Sequence, residues 1–360
     1  MNTRPCPGTS RSRWQLSGTA LVSMLFALLM SVAARGEPET LVAVDLLYAS
    51  NRVPLADPAD EEYFSQEAGG LHFGTATVVL EQDDDRDSGQ WPTVATDSIE
   101  PDWVTVEPAV EDALPGLVDA VAWDRGSDTA LVYVHGFMKS FSNAVRDLGS
   151  IVYGSHYDGV PIVFSWPAGT TPLGYEDDTL SLTESIPQLA ATLMALSEAR
   201  EIAKIHLVAH SMGNQALLAV LTQFITSGEL EALNLGEVIL YAPDIDRETF
   251  LAETLPVLSQ AGIRPTLYVA EFDVPLMSSR VVNNGPRLGD ADAGLAVTAA
   301  MDTIDATPVA KWLDRHNHHL TRGSQADVEL VLEGIPPVDR PTLRAREGAS
   351  GRYWEIIKAE

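Results

Sequence analysis

The chain has 360 residues, 45% of them hydrophobic, enough for one large α/β domain or two small ones around a sizeable core. Its formal net charge of −28 at pH 7 repels phosphate backbones and anionic surfaces, which argues against nucleic-acid partners and strongly anionic substrates. The single cysteine, Cys6, stands near the N-terminus, so the rest of the chain can offer no thiol nucleophile, no cysteine-held zinc and no disulfide.

The first 34 residues read as a secretory leader. Arg4, Arg11 and Arg13 precede an uncharged run with the apolar centre "ALVSMLFALLM", and small residues follow in "SVAARG". Cleavage after Ala33 or Ala34 gives a periplasmic or extracellular protein with no stable membrane association. An uncleaved run acting as a membrane anchor is the alternative. Residues 35–120 read as edge strands and an acidic irregular segment. "TLVAVDLLYASNR" and "LHFGTATVVLE" have strand character. The proline-bearing stretch from Gln82 to about Pro115, opening on "DDDRDSG", reads as a solvated excursion.

Residues 121–360 follow a regular alternation. The strands "ALVYVHG", "VPIVFSWP", "KIHLVAH", "EVILYAP", "RPTLYVAE" and "AMDTIDA" are separated by helical patterns, and "SQADVELVLEG" reads as the last helix. Such alternation predicts a mostly parallel sheet with helices on both faces, and near-continuous apolar strands agree with burial on both sides. The two early strands are expected at an antiparallel edge of the same sheet.

Within this frame, "VAHSMGNQALLAVL" places Ser211 at a strand-to-helix turn. A nucleophile elbow needs small residues two before and two after its serine, because side chains clash where the chain reverses so tightly. Gly213 meets one demand and Ala209, with one methyl, stands at the other. His210 is too constrained by the turn to serve Ser211 and is read as a packing or hydrogen-bonding neighbour. In the order Ser…Asp/Glu…His, the base must follow the serine, and of eight histidines only the "RHNHHL" cluster does so beyond His210. The base is therefore His316, His318 or His319. The spacing offers no matching carboxylate for a metal site, and neither metal nor cofactor is expected. The acid belongs after the second strand beyond the elbow, which favours Asp273, with Asp244 as the alternative. For an oxyanion, the amides of Met212 and of Phe137, after Gly136, are the candidate donors. Trp166 stands either in a pocket wall or in the core, and residues 169–183 could cover the pocket.

The set "LLYASNR", "VHGFMKSFSNAV", "VFSWPAG", "AHSMGNQALL", "YAPDIDRETF", "TLYVAEFDVPLMSSR", "PRLGD" and "DTIDA", in that order, resembles a bacterial alpha/beta-hydrolase family of unknown function, esterase- or lipase-like. The resemblance spans about Leu41 to Trp354. It implies an α/β-hydrolase fold and an esterase-type activity. By the same resemblance Ser211 is the elbow serine, Asp273 the acid, and His318 is preferred to His319 as base. Met138 stands where the family has asparagine and Leu320 where it has an aromatic residue. The function this implies is a serine hydrolase acting on a small-molecule carboxylic ester through Ser211, His318 and Asp273. An amidase or peptidase with the same triad, or a non-catalytic envelope protein of this fold, are the alternatives.

Overall fold

The computed structural model describes residues 41–59, 62–81, 101–108 and 114–358. The expected leader, its anchor alternative and most of the acidic excursion lie outside the described residues. Three early strands, β1 (Leu41–Ala59), β2 (Glu62–Glu81) and β3 (Pro101–Pro108), are followed by β4 (Thr129–Val134), β5 (Val160–Ser165), β6 (Lys204–His210), β7 (Leu235–Tyr241), β8 (Thr266–Val269) and β9 (Asp302–Asp305). The hairpin β10 (Leu343–Gly348) and β11 (Gly351–Ile356) comes last. All join one eleven-stranded sheet in the order β10-β11-β9-β8-β7-β6-β4-β5-β1-β2-β3. From β1 through β9 to β11 the neighbours are parallel, and only the outer pairs β1–β2, β2–β3 and β10–β11 are antiparallel.

Alternate residues of β4 show how both faces are filled. Ala130, Val132 and Val134 join one buried cluster, with residues of α1 (Leu114–Arg125), α3 (Tyr175–Ser197), α4 (Gly213–Ser227) and α5 (Leu255–Gln260). Leu131 and Tyr133 point the other way, into a cluster with α2 (Phe141–Gly154) and α7 (Arg322–Leu332). The period of two along the strand thus supplies two cores, one per sheet face. A further helix, α6 (Val274–Val282), follows β8.

Four expectations change. The stretch read as irregular contains β3, and the boundary expected at residue 120 falls inside α1, whose Leu114, Val118 and Ala122 are buried in the first cluster. The last helix does not end the domain, because the β10–β11 hairpin extends the sheet beyond β9. The early strands are not wholly antiparallel to the rest: β1 runs parallel to β5, and the reversal begins at β2.

Candidate active site

The turn between β6 and α4 has the geometry its sequence calls for. Ser211 adopts a left-handed φ of 52°, unusual for a residue with a side chain. A Cβ on Gly213 would lie 2.4 Å from the His135 carbonyl oxygen and 2.6 Å from that of Val134. Only glycine lets α4 start this close to the end of β4. Gly136 is equally confined, since a Cβ there would stand 2.8 Å from the Ser211 Cβ. The strained serine is held by its backbone: its N–H donates to the Tyr241 carbonyl at 2.9 Å, and its carbonyl accepts from Asn214 Nδ2 at 2.9 Å. Left-handed φ values recur at Met138, Ala242 and Phe272, which follow β4, β7 and β8 at the same carboxyl edge of the sheet. Strain gathered at one edge is a mark of functional sites.

Two side chains converge on Ser211. His316 Nε2 lies 2.8 Å from the Ser211 Oγ, and His316 Nδ1 lies 2.8 Å from Asp273 Oδ2. The Asp273 carboxylate is fully buried, and its other oxygen accepts the Leu276 N–H at 3.0 Å, capping α6. Burial disfavours a charge on the His316 ring. The Asp273 charge and hydrogen bond outweigh it, with Asp244 and Asp314 adding to them, and the pKa is raised above 6.5.

The structure corrects the expectation that His318 is the base. His318 is sealed in the core and neither ring nitrogen has a hydrogen-bond partner, so it has no path to Ser211. Burial pushes its pKa down to about 3, the nearby Asp273 opposing and His316 reinforcing that fall. His319 is also buried, with Nε2 3.3 Å from the Tyr133 hydroxyl and its pKa held well below 6.5 by burial and by Lys139. The irregular turn at Asn317 sends the three rings of "HNHH" in different directions, and only that of His316 faces the serine. His210 is the neighbour it was read as. Its Nε2 donates to the His316 carbonyl at 3.0 Å, and the His319 ring packs 3.9 Å from its own, centroid to centroid.

Asp244, the alternative acid, is taken by other partners. It accepts from Arg287 Nε at 2.7 Å, Ser279 Oγ at 2.5 Å and the Tyr175 hydroxyl at 2.8 Å. It therefore pins the start of α3 and the middle of α6 together beside the site. Trp166 is a core residue: fully buried, it stacks on His135 and donates from Nε1 to the His135 carbonyl at 2.9 Å. The segment read as a possible cover is largely the beginning of α3, which starts at Tyr175.

Of the two candidate oxyanion donors, Met212 stands at the N-cap of α4, directly after the serine. Phe137 lies in the turn after β4, its ring edge-on to Tyr175 with centroids 5.6 Å apart. Neither amide has a backbone acceptor among the described residues outside regular helices and strands. The positive end of the α4 dipole also lies at this point. The turn that carries Phe137 is tied down by a residue the sequence reading did not single out. Arg52, fully buried, donates to the Lys139 carbonyl at 2.7 Å, Ser165 Oγ at 3.0 Å, and the Ala168 and Ser65 carbonyls at 3.3 Å. Burial lowers its pKa to about 9, against the pull of Glu62 and Asp178. Its one available signal is an arginine ending an apolar strand in "LLYASNR". Among the described residues no group of three or more His, Cys, Asp or Glu side chains is arranged to hold a metal ion.

Over residues 119–328 the chain matches the family described as alpha/beta hydrolase of unknown function (DUF900). The matched span encloses Ser211, Asp273 and His316. No curated protein matches the chain. Similar solved structures include dienelactone hydrolase from Anabaena variabilis ATCC 29413, at 15% identity over 58% of this chain and 86% of that one, with a TM-score of 0.32. They also include the hyperthermophilic esterase of the archaeon Pyrobaculum calidifontis, at 9% identity over 90% of this chain and 93% of that one, TM-score 0.35. Naproxen esterase (carboxylesterase NP) from Bacillus subtilis is similar at 9% identity over 89% of this chain and 98% of that one, TM-score 0.32. The family match and the mostly parallel, two-faced sheet bear out the α/β-hydrolase fold expected from the sequence.

Proposed function

The chain belongs to the DUF900 family of alpha/beta hydrolases of unknown function, and from that premise we propose that it is a serine hydrolase of carboxylic esters. The observation that carries this reading is the continuous relay of two 2.8 Å contacts, from Ser211 Oγ to His316 Nε2 and from His316 Nδ1 to Asp273 Oδ2. In the reaction, His316 takes the Ser211 proton as Oγ attacks the ester carbonyl. Asp273 holds the ring in the tautomer that leaves Nε2 free to accept, and stabilises the imidazolium that results. The Met212 and Phe137 amides receive the negative charge on the tetrahedral oxygen. His316 then gives its proton to the departing alcohol. It next activates a water that releases the acyl group from Ser211.

An active-site fluorophosphonate should label the protein at Ser211, and Ser211→Ala should remove both the label and the hydrolysis of p-nitrophenyl esters. Labelling that persists in Ser211→Ala refutes the assignment. Faster cleavage of p-nitroanilides than of the matching esters would move the protein to the amidases. Export rests on the leader pattern of residues 1–34, and N-terminal sequencing of the mature protein tests it.

A further inference from the structure

Large apolar side chains left in water are normally scattered singly over a protein surface. Here several crowd the segments that build the site. Phe272 and Val274 flank Asp273, and Trp312 and Leu313 closely precede His316; all four are exposed, Leu313 at 95%. Leu173 is 97% exposed just before Tyr175, and Val281 is exposed on α6. These last two segments are fastened together, because the Tyr175 hydroxyl lies 3.2 Å from Ser279 Oγ and accepts from Asn283 Nδ2 at 3.1 Å. Phe272 and Trp312 form a platform rather than two loose rings. Their centroids are 6.3 Å apart, and the Arg315 guanidinium lies over both, at 5.4 and 5.0 Å. The carrying segments follow β5, β8 and β9, so they share the carboxyl edge of the sheet with Ser211.

Such a gathering of exposed apolar groups marks a contact surface. Its position restricts what can cover it. A second copy or a permanent protein partner seated there would close the approach to Ser211, whereas a surface made of substrate would feed it. The charge of the chain narrows the choice further, since a net −28 is repelled by an anionic surface. We propose that this rim seats the protein on the surface of a neutral, water-insoluble ester, from which single acyl chains reach Ser211. The proposal rests on the esterase reading above and names its substrate class.

The test uses the full-length protein and the double variant Leu173→Ser/Leu313→Ser, which changes only side chains standing free in water, one on the segment before Tyr175 and one on the segment before His316. Equal fluorophosphonate labelling shows that the variant keeps a folded site. With tributyrin, the wild-type rate should climb steeply once the ester exceeds its solubility and forms droplets. The double variant should lose about tenfold or more of that droplet rate, because each lost apolar contact weakens adsorption severalfold. Its hydrolysis of dissolved p-nitrophenyl acetate should stay within about twofold of wild type. A wild-type rate that levels off at the solubility limit overturns the proposal, as does a double variant that keeps the droplet rate. A wild-type dimer that the same substitutions convert to monomer also overturns it, since the rim would then be an interface between copies. Absence of p-nitrophenyl acetate hydrolysis in wild type is a different failure, that of the esterase reading itself.

Discussion

His316 and His318 lie two positions apart, and replacing each should have opposite consequences. His316→Ala removes the ring that bridges Ser211 and Asp273, and should lower kcat by at least about 10³-fold. His318→Leu removes a buried ring whose nitrogens have no partners, and should leave kcat within about twofold and stability at pH 7 within about 1 kcal/mol. Acid should separate the two proteins further. The His318 pKa is about 3 in the folded state against an ordinary 6.5. Below pH 6.5 the unfolded chain therefore takes up a proton at this site that the folded protein refuses, and stability falls with pH until about pH 3. Between pH 7 and about pH 4.5 this one ring costs the wild type on the order of 2–3 kcal/mol, which His318→Leu should recover. Urea unfolding of both proteins at the two pH values, followed by tryptophan fluorescence, measures the difference. Parallel loss of stability in wild type and His318→Leu would refute the burial argument. Loss of activity in His318→Leu as deep as in His316→Ala would refute the choice of base.

Two further outcomes follow from the site. In the proposed mechanism the neutral form of His316 accepts the serine proton, and because its pKa is raised, kcat/KM should fall on the acid side with a midpoint above 6.5. Asp273→Asn should move that midpoint to lower pH while cutting kcat; an unmoved midpoint in a stopped-flow pH profile counts against the pairing. Arg52→Met strips hydrogen bonds from Ser165 Oγ and from the Lys139, Ala168 and Ser65 carbonyls, and should lower stability by about 2–4 kcal/mol. As the turn holding Phe137 loosens, kcat should drop more than KM rises, measurable with p-nitrophenyl acetate below the unfolding midpoint.

Strand β6, the Ser211 turn and α4 were legible because their demands are local: an apolar strand, small residues beside the serine, and a helical stripe after it. The order Ser211, Asp273, then histidine was expected from the chain order of this fold class, and the structure brings Ser211, His316 and Asp273 into contact. Which histidine was not legible, because "HNHH" carries no periodicity and the direction of each ring is set by a non-helical Asn317. A buried imidazole and a catalytic one look alike in one dimension. Arg52 escaped because its partners, the Ser165 hydroxyl and three backbone carbonyls, come from separate parts of the chain, and carbonyls leave no trace in residue type. The β10–β11 hairpin was missed because "LRAREG" and "GRYWEI" are charged strands closing one end of the sheet, with Arg344 and Arg346 paired to Glu355, and not the apolar runs of a buried sheet. Helix α1 begins with Leu-Pro-Gly, which reads as a turn and hides the start that proline tolerates.

Asp273 gives one oxygen to the Leu276 amide and the other to His316. A single carboxylate thus begins a helix and aims a ring, and its side-chain length is set from two directions at once. Glutamate at this position, or one inserted residue between β8 and α6, unhooks both receivers together. An aspartate at that point is therefore demanded by where α6 begins as much as by the ring it aims.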